Sequence, residues 1–341
     1  MTDGPYEAAE ALVYDPVALN RNATREALRS LGFHALEFAT SLETLRGRLA
    51  KRSPDLLLCE VGGAEVDVCA LIQAIRQGRL GDNPFVVAIL TTWRRDGTIA
   101  GQALNSGADD LLARPFSAAR LGERLRILVE RRKEFVVASH YIGPERRCDT
   151  SRVVTQSIVV PNSLRIKTAH GLSIVEAERE IAAALAEGKR IVDAEKLRRD
   201  TMHLCMQWRM LQQRTPARRD FRLILARIGV LSAEIGHRVS GTHSLAAVEW
   251  CETLRETVQT IGASLAVADG RTPPDLAAIV QEMGEAVLAL GQIFAPADSD
   301  SSRLVELDAR TTLAGARSQP VGRLAAAQSM PSARNQCATA A

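Results

Sequence analysis

Four polar side chains in the N-terminal part of the chain each stand at the end of a short apolar run. They are Asp15, Glu60, Thr91 and Arg114. Two carboxylates, a hydroxyl and a guanidinium can form ion pairs and hydrogen bonds, and the planar fork of an arginine can hold one carboxylate through two parallel bonds. Charge pairing among these side chains is therefore the first chemistry that the sequence offers.

The elements that must position these side chains are short apolar runs separated by helical segments. The runs cover residues 11–14, 55–60, 85–90 and 111–112. The segments between them carry apolar residues at helical spacing, as in 68–75. Alternating strands and helices predict an open parallel sheet with helices on both faces, and ligands bind to such sheets beyond the carboxyl ends of the strands. We therefore expect the four polar side chains at one edge of a sheet.

The order and spacing of these strand ends resemble the receiver domains of response regulators in two-component systems, over residues 10–133. The most specific match is the segment GADDLLARPF at 107–116. The resemblance implies a flavodoxin-like, doubly wound α/β fold with five parallel strands. It also implies transfer of phosphate from a histidine kinase to an aspartate, assisted by magnesium held between carboxylates.

The resemblance gives each of the four polar side chains a counterpart in the family's phosphorylation site. Asp15 matches the first of two acidic residues that follow strand one, and Glu60 matches the phosphoacceptor aspartate. Thr91 matches the hydroxyl residue after strand four, and Arg114 matches the lysine that precedes Pro115.

The chain departs from the family pattern at positions that the chemistry requires. Pro16 replaces the second acidic residue, Glu60 is one methylene longer than an aspartate, and Leu111 stands where many members carry an aromatic switch residue. Magnesium needs near-octahedral oxygen ligation and tolerates misplaced ligands poorly. We therefore expect no resident cofactor, at most weak magnesium binding at Asp15 and Glu60, and little or no phosphorylation.

Two interpretations of the altered site stay open. A permanent ion pair between Glu60 and Arg114 could replace the phosphate-to-lysine contact and hold the domain in one signalling state. Alternatively, the polar side chains are a structural remnant without a switching role. Trp93 is a candidate contact for a protein partner, because tryptophan is enriched at interface hot spots, and a ring folded over the top of the sheet is the alternative.

The rest of the chain is interpreted as three segments after an N-terminal tail at 1–9. Residues 134–171 mix basic side chains with Gly-Pro and Pro-Asn pairs, which predicts a solvated basic connector with a short strand at 157–160; a docking surface is the alternative. Residues 172–294 carry four apolar stripes, which indicate an all-α helical bundle or a coiled-coil-like homodimer. Residues 295–341 lack a sustained period and predict a disordered tail.

Composition limits the classes of function. A net charge of +3 and a pI near 8.6 are too mild to indicate nucleic-acid binding. No run approaches the roughly 18 to 20 apolar residues of a membrane span, and the six cysteines are scattered without metal-site spacing. Since phosphate-binding loops and nucleophile motifs are also absent from the sequence, we expect a cytoplasmic protein that is not an enzyme.

The expected function is that of an atypical response-regulator-like signalling protein acting through protein–protein interaction, with a histidine kinase as one expected partner. An active phosphorelay component is the first alternative. It would accept phosphate at Glu60, or at His237, which lies in a segment that faintly resembles the motif of histidine phosphotransfer domains although Ser240 replaces its lysine. A transcription regulator is the second alternative and depends only on the basic connector.

Overall fold

The protein consists of a parallel sheet with its helices, a small antiparallel sheet and a bundle of long helices, in a computed structural model. The structure describes residues 4–62, 68–94, 97–146, 157–169, 172–213, 219–240, 244–267 and 276–295.

The N-terminal domain is a five-stranded parallel sheet with the strand order β2-β1-β3-β4-β5. Its strands are β1 (Glu10–Tyr14), β2 (Ala35–Ala39), β3 (Leu56–Glu60), β4 (Val87–Thr92) and β5 (Asp110–Ala113). Its helices are α1 (Ala18–Ser30), α2 (Leu42–Leu49), α3 (Val68–Arg76), α4 (Gly97–Asn105) and α5 (Ala118–Glu130). The predicted doubly wound fold is confirmed, because separate apolar clusters cover the two faces of the sheet.

The central strands form because they are apolar on both faces. Strand β3 is buried from Leu56 to Cys59, and all six residues of β4 are buried, as expected for parallel strands between two helical layers. The apolar runs of the sequence did not predict strand β2. It lies at the edge of the sheet, and only its last residue, Ala39, is buried, so its apolar pattern is weak.

The predicted N-terminal tail is part of this domain as far as it is described. The ring of Tyr6 stacks on Phe33, with the ring centroids 4.7 Å apart, and both side chains are buried in one apolar cluster. Ala9 is fully buried as well. Residues 4–9 of the predicted tail therefore pack against the parallel sheet and its helices.

The segment predicted as a solvated connector is folded where it is described. It forms β6 (Phe135–Ala138), β7 (Tyr141–Pro144), β8 (Ser157–Ile158) and the short helix α6 (Ser163–Thr168), and the three strands pair as an antiparallel sheet in the order β7-β6-β8. We call this sheet the small sheet. The predicted strand near 157–160 is confirmed over its first two residues.

Basic side chains of this region serve internal contacts, which explains why composition was misleading. Arg132 donates to Asp109 Oδ1 at 2.8 Å and to the Phe85 carbonyl at 2.7 Å. Lys167 Nζ lies 2.8 Å from Asp55 Oδ2, and Arg146 donates to the carbonyl of Ala108. These cations hold the segment against the parallel sheet, so the solvated-linker interpretation is wrong here.

Four long helices form the predicted bundle: α7 (Ile174–Gln212), α8 (Arg219–Val239), α9 (Leu245–Val267) and α10 (Leu276–Phe294). Their apolar stripes meet in one core, and α10 returns to pack on α7. Trp208 approaches Gly284 so closely that a Cβ there would lie 2.7 Å from the indole. The stripes are therefore buried against one another within one chain.

No helix in the described part of the chain is long and apolar enough to span a membrane. The predicted tail lies outside the described residues from 296 onward.

Candidate functional site

The carboxyl edge of the parallel sheet brings together the four polar side chains identified from the sequence, which we call the pocket. Asp15 directly follows β1, and Glu60 is the last residue of β3. Thr91 was predicted to follow β4. It lies within this strand, where it pairs in register with Glu60. Arg114 follows β5, and its amide donates to the Thr92 carbonyl at 2.7 Å.

The Arg114 guanidinium lies between the two carboxylates of the pocket. Its Nε donates to Glu60 Oε2 at 2.9 Å, and its Nη2 lies 3.1 Å from Asp15 Oδ2. Nη2 also donates to the Thr24 hydroxyl on α1 at 3.2 Å. The arginine therefore does not hold Glu60 through two parallel bonds, as its planar fork would allow, because its second nitrogen serves Asp15 and Thr24.

Glu60 accepts two hydrogen bonds on the same oxygen. The Thr91 hydroxyl donates to Glu60 Oε2 at 2.6 Å, and Arg114 Nε donates to that atom as well. Burial raises the pKa of Glu60 above the ordinary value of a glutamate, and the bonds from Thr91 and Arg114 oppose this rise only in part. The contacts therefore fix the position of the carboxylate more than they favour its charge.

Asp15 is completely buried and is fixed mainly by the start of α1. Its Oδ1 accepts from the Val17 amide at 2.8 Å and from Asn20 Nδ2 at 3.4 Å, and Arg21 donates to its carbonyl at 2.7 Å. Among the described residues its Oδ2 has no well-aligned hydrogen-bond donor, so Arg114 reaches this oxygen by charge alone.

Sequence reasoning missed the contribution of α1. Thr24 is completely buried, Asn20 is nearly so, and both are placed one helical turn apart on the face that contains Ala27 and Leu28. Polar residues at the buried spacing of a helix were the available signal.

The pocket does not fit a resident magnesium ion. Magnesium prefers several oxygen ligands at about 2.0 to 2.1 Å in octahedral geometry. Here a guanidinium already stands within 3.1 Å of both carboxylates, and Pro16 supplies no third one. The described residues contain no group of three or more histidine, cysteine or acidic side chains arranged for a metal.

The remaining candidates are separated from the pocket to different degrees. Trp93 follows β4 on the pocket edge and is 53% exposed. Leu111 is half-buried in β5 and packs against the apolar cluster that contains Cys59 and Leu90. His237 is exposed on the last turn of α8. Its neighbour Arg238 donates to the Gln77 carbonyl just after α3, at the edge of the sheet opposite the pocket.

Curated relatives with similar sequences are response regulators. The C4-dicarboxylate transport transcriptional regulatory protein DctD of Rhizobium meliloti (strain 1021) is 32% identical over 113 residues, or 33% of this chain and 24% of that protein. The transcriptional regulatory protein PrrA of Mycobacterium bovis is 27% identical over 166 residues, or 48% and 65%. The KDP operon transcriptional regulatory protein KdpE of Escherichia coli (strain K12) is 34% identical over 123 residues, or 35% and 50%. The chain thus spans less than two thirds of each of these relatives.

A solved structure that matches part of the chain is the signal receiver domain of an HD domain-containing protein from Pseudomonas fluorescens Pf-5. It is 25% identical, with a TM-score of 0.33, and the match covers 36% of this chain and 96% of that one. The scan against protein families finds no match. The curated relatives and the strand order confirm the resemblance predicted above: the N-terminal domain is a receiver domain of the response-regulator type, and the helical region stays unassigned.

Proposed function

We propose that this chain, a response-regulator receiver joined to a helical bundle, is an atypical component of a two-component or phosphorelay pathway that acts by binding a protein partner. Its receiver is held in one state by an internal ion pair and is not switched by phosphate. One observation carries the proposal: the Arg114 guanidinium lies within 3.1 Å of carboxylate oxygens of both Asp15 and Glu60.

The internal arginine removes both requirements for phosphoryl transfer. A transferring phosphoryl group needs a nucleophilic oxygen in line and cations that neutralise its charge. Glu60 Oε2 is already an acceptor for Thr91 and Arg114, and the extra methylene of a glutamate displaces its carboxylate by on the order of 1 Å. The place between the carboxylates, where magnesium would bind, is taken by the guanidinium.

The partner is expected to bind the pocket edge, with a histidine kinase as one candidate class. The 53% exposed ring of Trp93 lies on this edge and offers an apolar anchor. The bundle approaches the opposite edge, near Gln77, and so leaves the pocket edge accessible. In this proposal the chain binds and does not catalyse.

Incubation with a small-molecule phosphodonor and magnesium, followed by intact-mass measurement, tests the proposal. We expect no phosphoryl adduct on the wild-type chain. The matched control is the triple variant Pro16→Asp, Glu60→Asp and Arg114→Lys, which restores the family's residues and should accept phosphate if it melts like the wild type. A stoichiometric, magnesium-dependent adduct on the wild-type chain would refute the proposal.

A phosphorelay within one chain has little geometric support. His237 lies near the edge opposite Glu60, so transfer between these two residues would need a second molecule. Radiolabel appearing on the wild type but not on His237→Gln would favour this alternative.

The relatives' names favour a transcription regulator as a second candidate. Against it, two of the connector's cations, Arg146 and Lys167, are engaged internally, as is Arg132 just before the connector. Salt-dependent binding of the full chain to duplex DNA would support this candidate, and its absence at low salt would dismiss it.

A further inference from the structure

Helix α3 connects the strands of the pocket to the helical bundle. Its apolar face, which includes Val68, Leu71 and Ile75, packs in the same cluster as Cys59 and Leu90. These two strand residues directly precede Glu60 and Thr91 in the chain. Because buried side chains are close-packed, a shift of the two strand ends must be taken up by the helix that lies on them.

The carboxyl end of α3 is anchored through Arg76, whose side chain is almost completely buried. Its guanidinium donates to Asp109 Oδ2 at 2.9 Å, to the Gly107 carbonyl at 2.8 Å and to the Pro84 carbonyl at 2.7 Å. It also lies over the ring of Phe135 in β6, 5.1 Å from the centroid. Burial lowers the pKa of Arg76 to about 10, and Asp109 opposes this shift. These contacts tie the end of α3 to the segments that precede β4 and β5 and to the small sheet.

The residues that directly follow α3 contact the bundle. Arg238 on α8 donates to the Gln77 carbonyl at 3.3 Å and also pairs with Asp193 on α7. Arg79 pairs with Glu234, one turn earlier on α8. The Arg238 side chain is only 6% exposed, whereas Asp193 is 48% exposed, so Arg238 joins the end of α3 to two bundle helices through an ion pair that is open to water on its acidic side.

An apolar cluster backs this polar contact. Phe85 from the receiver and Phe135 from the small sheet lie in one buried cluster with Val192 of α7. Gly188 of α7 lets the helix approach closely, because a Cβ there would lie 2.6 Å from Pro161 Cδ and 2.9 Å from the Phe85 ring. The receiver and the bundle therefore share a core at this junction.

We propose that Arg238 is a positioning residue that couples the state of the pocket to the bundle through α3. A change at Glu60 or Arg114 shifts the ends of β3 and β4, α3 moves as a rod of about 14 Å, and its carboxyl end changes the contact of Arg238 with Asp193. The proposal concerns transmission inside the chain and does not depend on whether phosphate is ever accepted.

Hydrogen exchange of the full chain, measured by mass spectrometry, tests this coupling. The perturbation is Arg114→Ala, or Glu60→Gln if the first variant fails to fold. We expect exchange in the last two turns of α8 and around Asp193 to rise at least about threefold, while amides in the middle of α9 serve as the reference for global unfolding.

The decisive comparison repeats the perturbation in an Arg238→Ala background, where the response of α8 and α7 should be lost. Arg222→Ala is the matched control, because Arg222 lies at the other end of α8 and donates to the Leu265 carbonyl at 2.8 Å; in that background the response should persist. An equal response with and without Arg238, or no response of the bundle to the pocket variant, would overturn the inference.

Discussion

The Thr24 hydroxyl on α1 accepts a hydrogen bond from Arg114 Nη2 across 3.2 Å, although 90 residues separate the two in the chain. The contact fastens α1 to the end of β5 and completes the surroundings of a guanidinium that also serves Asp15 and Glu60. A buried cation with four polar partners, Asp15, Thr24, Glu60 and Thr91, is held in one orientation, and that orientation determines what else the pocket can bind.

Replacing Thr24 with valine keeps the volume and removes the acceptor. We expect the free energy of unfolding to fall by about 1 to 2 kcal/mol, because a buried charged donor loses a partner. Urea unfolding measures this change. The control is Thr260→Val on the exposed face of α9, where Thr260 bonds only to its own helix and the change should stay within about 0.5 kcal/mol.

Replacing Arg114 with alanine leaves two buried carboxylates without their cation. We expect a loss of about 3 kcal/mol in the free energy of unfolding, and we expect magnesium to raise the melting temperature of this variant while leaving the wild type unchanged. Arg126→Ala, which breaks an exposed pair with Glu130, should change stability by less than about 1 kcal/mol. Equal magnesium stabilisation of wild type and variant would contradict the view that the guanidinium excludes the metal.

The raised pKa of Glu60 predicts how stability depends on pH. Between the unfolded-state pKa of a glutamate, about 4.3, and the higher folded-state pKa of Glu60, the folded chain binds more protons than the unfolded chain. The free energy of unfolding of the wild type, relative to Glu60→Gln, should therefore be largest below this window and fall as the pH rises through it. Chemical unfolding of both proteins at a series of pH values measures the difference. A difference that increases with pH would show that the pair favours the ionised carboxylate.

The exposure of Trp93 predicts which tryptophan an aqueous quencher reaches. Trp208 is 6% exposed and Trp250 is partly buried in the bundle core. Trp93→Phe should remove most of the fluorescence that acrylamide quenches and shift the emission to shorter wavelength, with a change in stability below about 0.5 kcal/mol. If Trp208→Phe removed the quenchable signal instead, the position of Trp93 on the pocket edge would be wrong.

The closure of the bundle within one chain predicts a monomer. Light scattering of the full chain should give a mass near 37.0 kDa at micromolar concentration. A mass twice as large would show that another surface pairs two copies, since the four apolar stripes already fill one core.

The pocket could be predicted from the sequence because the carboxyl ends of neighbouring parallel strands must meet at one edge. That rule places Asp15, Glu60, Thr91 and Arg114 together without any knowledge of side-chain conformations. It does not give the division of Arg114 between two carboxylates, which depends on the rotation of α1 and on the position of Thr24.

The elements that sequence reasoning missed are short or weakly patterned. Strand β2 is half-exposed, and β6 and β7 have four residues each, too few for a period to be visible. The basic residues near them suggested solvation because composition does not reveal a buried partner such as Asp109, which accepts from both Arg76 and Arg132.

The cluster that joins Phe85, Phe135 and Val192 has a consequence for how this chain can be divided or recombined. A receiver truncated at residue 133 would expose the Phe85 ring to water. It would also lose the residues that surround Arg132, the second arginine bound to Asp109. Swapping the receiver for that of another protein would break the same packing. The receiver of this protein is therefore not an independent domain that can be exchanged. The smallest fragment in which Phe85 and Phe135 stay buried extends into α7.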